Sequence, residues 1–219
     1  MMPHVSAGEP ALVAILRGVT RENVVAIADV LYDAGIRKIE VPLNSPEPFA
    51  SIARLAALPR TDWLVGAGTV LTVDEVRRTH AAGGRLIVSP NCYTDVIRGA
   101  LQLGMEVMPG IATATEAINA VDAGARHIKL FPAVTYGPRH LEALRAVLPT
   151  DVGVFPVGGV GAQDIAGWLG AGAAGFGFGS ELFRPSYTLA EIEQRARHLV
   201  QTLQEARSQF DRRAVSTAP

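Results

Sequence analysis

The chain has 219 residues, 48% of them apolar, a formal net charge of −1 and one cysteine, Cys92. Scattered charges give no electrostatic case for nucleic acid or an anionic membrane, and a single cysteine excludes an intrachain disulfide. The opening MMPHVSAGEP lacks the basic and apolar regions of a signal peptide, and no uncharged apolar run approaches the roughly 20 residues of a membrane helix, so a cytoplasmic protein is expected.

Residues 1–10 read as a flexible N-terminus. From there, short aliphatic or β-branched runs alternate with alanine-rich amphipathic stretches. The runs are LVAILR (12–17), IRKIEVPL (36–43), WLVGAG (63–68), RLIVSP (85–90), MEVMPG (105–110), HIKLFP (127–132), VGVFPV (152–157) and AGFGFGS (174–180). The stretch RENVVAIADVLYDAG has apolar residues at helical spacing and a glycine at its end. TATEAINAVDAG opens with a Thr-x-x-Glu capping box, Thr113 to Glu116, and ends the same way. Strand then helix, eight times, predicts a single-domain closed (β/α)8 TIM barrel over 11–208, followed by a polar, disordered tail over 209–219. A doubly wound open sheet would carry its phosphate glycines after the first strand, where RGVTREN stands instead.

The chain has eighteen arginines and two lysines, Lys38 and Lys129. Strand parity puts Ile128 and Leu130 toward the helices and Lys129 toward the interior, near the C-terminal end of its strand. The same parity turns Glu40 inward, with Lys38 deeper on that face. An inward lysine and glutamate form either a buried ion pair or a reactive pair. The amine matters because arginine stays protonated in a protein, whereas a desolvated lysine becomes a neutral nucleophile. Lys38 reads as structural or rim-solvated.

Arg17 ends the first strand on the inward parity, where a guanidinium suits a substrate carboxylate; the alternative is a rim arginine paired with an acid. Thr69, after VGAG, either orients a substrate oxygen or belongs to a helix N-terminus. Glycine-rich turns after the seventh and eighth strands, Gly158 and Gly159, then Gly179 and Ser180, predict a backbone phosphate site completed by a short helix. The dispersed histidines give no metal-site spacing, and His127 reads as a satisfied core histidine, the alternative being an inward proton carrier. Cys92 has no evident catalytic partner.

The segments AILRG, EVPLNSP, GAGTVL, LIVSPN, PGIATATEA, IKLFPA, GP (137–138) and VGGV occur in the order and spacing of a known family. From about residue 11 to about 205 the chain resembles the class I aldolases that cleave 2-keto-3-deoxy-6-phospho sugar acids. The resemblance implies a Schiff base on Lys129, proton transfer by Glu40, and cleavage to pyruvate and glyceraldehyde 3-phosphate. It also implies substrate contacts from Arg17, Thr69, Pro90, Phe131 and Val157, with phosphate on Gly158, Gly159, Gly179 and Ser180. No cofactor or metal and a homotrimer are likewise implied. Arg17, PLNSP and Val157 resemble the galactonate branch; the gluconate branch is the alternative. The rivals from other classes are an isomerase or epimerase acting on phosphorylated sugars and a non-catalytic phosphosugar-binding protein.

Overall fold

The aliphatic runs become parallel strands and the alanine-rich stretches become helices in a computed structural model that describes residues 11–216. The first units are β1 (Ala11–Ile15), α1 (Val24–Asp33), β2 (Lys38–Pro42), α2 (Pro48–Ala56), β3 (Leu64–Gly68) and α3 (Val73–Ala81). Next come β4 (Leu86–Val88), α4 (Thr94–Gln102), β5 (Glu106–Met108), β6 (Gly110–Ile111) and α5 (Ala114–Asp122). The chain continues through β7 (His127–Leu130), α6 (Ala133–Tyr136), α7 (Pro138–Arg145) and β8 (Gly153–Pro156). It closes with α8 (Ile165–Gly170), β9 (Gly175–Phe178) and α9 (Leu189–Ser216).

Local chemistry sets these boundaries. The Thr113–Glu116 capping box opens α5 as the sequence predicts, and a second box, Thr72 with Glu75, opens α3. Gly35 and Gly124, which follow α1 and α5, take φ of 101° and 106°, a left-handed conformation that costs glycine nothing and releases the chain into the next strand.

The expected closed eight-stranded barrel is corrected by the strand pairing. Hydrogen bonding divides the strands into a six-stranded parallel sheet, ordered β5-β4-β3-β2-β1-β9, and a three-stranded parallel sheet, β6-β7-β8. Both breaks have a proline at hand. Pro109 splits the fifth run: Glu106–Met108 pairs with β4, whereas Gly110–Ile111 pairs with β7. Having no N–H, Pro109 donates to neither ladder, although its carbonyl accepts from the Lys129 N–H at 2.8 Å. Pro156 ends β8, and beyond it one isolated bridge, Val157 to Gly177, stands where a β8–β9 ladder would be.

Side-chain alternation along the strands produces two apolar clusters. The larger lies between sheets and helices and holds Ile39, Val41, Ile128 and Leu130, the residues assigned outward by parity. The smaller lies on the inner face, where Val13, Leu86, Val88, Met108 and Phe155 pack together from strands of both sheets. The helix α9 runs through residue 208 to Ser216, so the expected tail boundary falls inside it. Residues 1–10 and 217–219, where the remaining expectations of flexibility fall, lie outside the described residues. Among the described residues, no helix is long and apolar enough to cross a membrane.

Candidate active site

The strands β2 and β7 each present two charged or titratable groups to the inner face, at alternate positions: Lys38 and Glu40 from one, His127 and Lys129 from the other. Glu40 and Lys129 are the pair nearer the C-terminal edge, where parallel sheets place ligands. They are 2% and 7% exposed, respectively. Burial is the main influence on both. It pushes the Glu40 carboxyl up to about 7, against the opposing pull of Lys129 and Arg17. It also draws the Lys129 amine below the ordinary lysine value; Glu40 opposes that change and Arg17 reinforces it. Each group is thereby biased toward its neutral form.

Little else satisfies the pair. Glu40 Oε2 is buried with no hydrogen-bond partner, and among the described residues the Lys129 ammonium makes no hydrogen bond. Its Nζ stands 4.5 Å from the centre of the Phe131 ring. Space for the carboxylate comes from Gly68, where a Cβ would lie 1.9 Å from Glu40 Oε2. The missing side chain at this strand end is what admits the Glu40 carboxylate. The next residue, Thr69, has φ of 61°, an outlier for a β-branched side chain.

Arg17, just beyond β1, is exposed at the same edge. Its Nη1 donates to Asn44 Oδ1 at 2.5 Å and its Nη2 to Thr69 Oγ1 at 3.5 Å. Two neutral acceptors orient this guanidinium, which makes no ion pair among the described residues. Asn44 lies in PLNSP, and its tie to an arginine 27 residues away is invisible to local pattern. The Pro90 carbonyl packs where a Cβ of Gly110 would lie, 2.3 Å away, and Gly110 is the ladder partner of Lys129.

The glycine turns also assemble. Gly158 and Gly159 have φ of 92° and 75°; a Cβ on Gly158 would press the Phe131 ring at 3.1 Å. The Val157–Gly177 bridge brings this turn beside Gly179 and Ser180. Among the described residues, no acceptor outside the strand ladders takes the N–H of Gly158, Gly159, Gly179 or Ser180. Beyond the first turn, the Gly161 N–H is already taken, donating to Asp164 Oδ2 at 2.8 Å. The arrangement can hold a carboxylate near Arg17, a carbonyl at Lys129 and an anion on the turns.

Other groups fall elsewhere. The Cys92 thiol donates to the Glu116 carbonyl and burial raises its pKa, the opposite of activation. A surface cleft of about 380 Å³, lined by Glu47, Phe49, Glu75 and Arg78 among others, shares none of the candidate site residues.

A family model described as "Aldolase: KDPG and KHG aldolase" matches residues 6–196. The 2-dehydro-3-deoxy-6-phosphogalactonate aldolase of Escherichia coli (strain K12) is 44% identical over 195 residues, which is 89% of this chain and 95% of that protein. The chain belongs to the KDPG and KHG aldolase family. This aldolase, a carbon–carbon lyase, also resembles the solved structure "Native KDPGal structure". The TM-score is 0.88 with 44% identity, covering 90% of this chain and 96% of that one. A KDPG aldolase from Legionella pneumophila, "with pyruvate captured at low pH as a covalent carbinolamine intermediate", has a TM-score of 0.76 and 25% identity, with 91% and 95% covered.

Proposed function

We propose that this aldolase cleaves 2-dehydro-3-deoxy-6-phosphogalactonate to pyruvate and D-glyceraldehyde 3-phosphate through a Schiff base on Lys129. The observation that carries the reading is the Lys129 amine, buried, without a hydrogen-bond acceptor among the described residues and held below its usual pKa beside Glu40. The galactonate and carbinolamine relatives support it.

In this reading the neutral amine adds to the C2 carbonyl, and loss of water from the carbinolamine gives a protonated imine. Glu40 passes protons during that dehydration, then accepts the C4 hydroxyl proton as the C3–C4 bond breaks. The bonding electrons move into the imine, leaving an enamine. D-Glyceraldehyde 3-phosphate departs, C3 is protonated, and water releases pyruvate and the free amine. A carboxyl with a pKa of about 7 can both give and take a proton near neutrality.

Arg17, oriented by Asn44 and Thr69, holds the carboxylate. Pro90, Phe131 and Val157 line the substrate, and the N–H groups of Gly158, Gly159, Gly179 and Ser180 hold the phosphate. The route calls on no metal or organic cofactor. The enzyme acts in the cytoplasm, where the half-buried Cys92 thiol stays reduced. It assembles as a homotrimer, for which exposed Tyr93, Ile118, Val134 and Tyr136 supply apolar surface.

Incubation with pyruvate and borohydride, followed by peptide mass mapping, tests the chemistry: a reduced pyruvyl adduct on Lys129 is expected, and its absence from folded protein sinks the Schiff-base reading. Initial rates on the two C4 epimers then test the substrate, with the galactonate epimer expected to have the higher kcat/KM.

A further inference from the structure

Deeper on the inner face lies a second polar cluster that the proposed chemistry does not use. Glu106 of β5 accepts through Oε1 both from Lys38 Nζ of β2 and from His127 Nδ1 of β7, the latter at 2.9 Å. Lys38 is 4% exposed. His127 is confined on two further sides. A Cβ on Gly153 would lie 2.9 Å from its ring, and Phe155 meets the ring edge-on at 5.4 Å and 81°.

The position of this cluster matters. The strands β2 and β7 belong to different sheets, so no ladder joins them directly. One route between them passes through β3, β4 and β5, then through Pro109 into β6; the other passes through β1, β9 and the Val157–Gly177 bridge into β8. Pro109 offers that junction no N–H, although its carbonyl accepts from Lys129 and the Gly110 N–H donates to the Asn91 carbonyl. Both routes are indirect, and Glu106 adds a direct side-chain tie from β2 to β7 through one carboxylate oxygen. Its two partners stand two residues before Glu40 and Lys129 on the same strand faces, about 7 Å along each strand. A change in the Lys38–His127 separation therefore transmits to the Glu40–Lys129 separation through stiff extended backbone.

We propose that Lys38, Glu106 and His127 form a clamp that sets the approach of Lys129 to Glu40 and thereby the rate of imine formation. These three are positioning residues: none reaches the C-terminal edge where substrate would bind. Met108, of the inner apolar cluster, sits on its strand segment between Glu106 and Gly110, the ladder partner of Lys129. The clamp thus acts through the strands, with no continuous polar path to the amine. Lys38 and His127 hydrogen-bond Glu106, and the charges of Glu40 and Arg17 are the ones that act on Lys129.

The proposal rests on the Schiff-base reading, and the test separates the two. His127→Leu removes the donor to Glu106, whereas His127→Asn retains an N–H near the position of Nδ1. The readouts on the full chain are kcat and KM for the phosphorylated keto acid, the rate of pyruvate trapping by borohydride, and the melting temperature. His127→Leu should lower kcat and the trapping rate about tenfold together, with KM changed less than about twofold, and His127→Asn should recover to within about threefold of wild type. Wild-type kinetics in His127→Leu overturn the clamp, as does equal loss in both variants, which signals nonspecific damage. Absence of any adduct in the wild type instead overturns the Schiff-base reading, and the clamp's purpose with it.

Discussion

The inner face carries two clusters built from the same two strands, and they treat charge in opposite ways. In the deeper one, Glu106 accepts from both Lys38 and His127. Burial alone would raise its pKa, but the His127 hydrogen bond and the Lys38 charge hold it below the ordinary carboxylate value. In the upper one, Glu40 keeps an unpartnered oxygen and burial drives its pKa up. The deeper charges are satisfied, so their field is spent within the cluster. The upper pair is desolvated with no hydrogen bond between its members, which costs stability, lets Glu40 change protonation near pH 7 and draws the Lys129 amine toward its neutral form. The difference teaches that burial alone does not mark the reactive pair; burial without hydrogen-bond partners does.

The most forceful way to break the comparison is at the two lysines. Lys129→Arg keeps a charge but cannot form the imine, so turnover should fall by at least about 10⁴-fold while the fold persists. Remaining activity above that level in a steady-state assay would sink the nucleophile assignment. Lys38→Met should do the reverse. The Glu106 side chain is 24% exposed and keeps its His127 hydrogen bond, so removing Lys38 should cost about 1–3 kcal/mol of stability, measurable by urea unfolding. Activity per folded molecule should fall far less than in Lys129→Arg. If Lys38→Met is thermodynamically silent, the deeper cluster is not the satisfied one.

Glu40→Gln sharpens the comparison through pH. The folded-state pKa of Glu40, about 7, lies above its ordinary 4.5, so the folded protein holds this proton more tightly than the unfolded chain. The associated stability is fully present below 4.5 and is lost as pH rises through about 7. The neutral glutamine removes this dependence. The stability of Glu40→Gln relative to wild type should therefore increase by about 1–3 kcal/mol from pH 4.5 to above 7, while kcat falls about 10²- to 10³-fold. A stability difference that stays flat with pH would mean that Glu40 is not the buried, raised-pKa group described.

Much of this was legible in the sequence because strand periodicity is local. All eight aliphatic runs became strands, and parity placed Glu40 and Lys129 on one face and Ile128 and Leu130 on the other. The closed barrel was not legible, since closure depends on which distant strands share a ladder. The proline that breaks one ladder was visible in MEVMPG, but its consequence was not. The helical reach of α9 to Ser216 was missed because its last turns are mostly polar. Glu106, Gly68 and Asn44 acquire meaning only through partners 21 to 68, 28 and 27 residues away.

Gly68→Ala tests the tight fit of the upper pair. A methyl group 1.9 Å from Glu40 Oε2 must displace the carboxylate or the strand. Misplacement of this kind should lower kcat about 10- to 100-fold, with a stability loss of about 1–3 kcal/mol from overpacking. An alanine variant with wild-type kcat would show that Glu40 tolerates a different position, and that the carboxylate's placement beside Lys129 is not critical.

Asn44→Ala probes the rim of the same site and should have the smallest effect. Asn44 and Thr69 orient Arg17 without neutralising it, and the shorter of the two contacts, 2.5 Å, is the one to Asn44. An exposed hydrogen bond to a charged group contributes about 1 kcal/mol, so its loss should raise KM about three- to sixfold and leave kcat nearly unchanged. Asn44→Asp should be worse despite preserving an acceptor, because its negative charge competes with the substrate carboxylate for the guanidinium. If both variants bind substrate as well as wild type, Arg17 does not hold the carboxylate. A fall in kcat alone would instead place Arg17 closer to the bond-breaking centre than the carboxylate assignment requires.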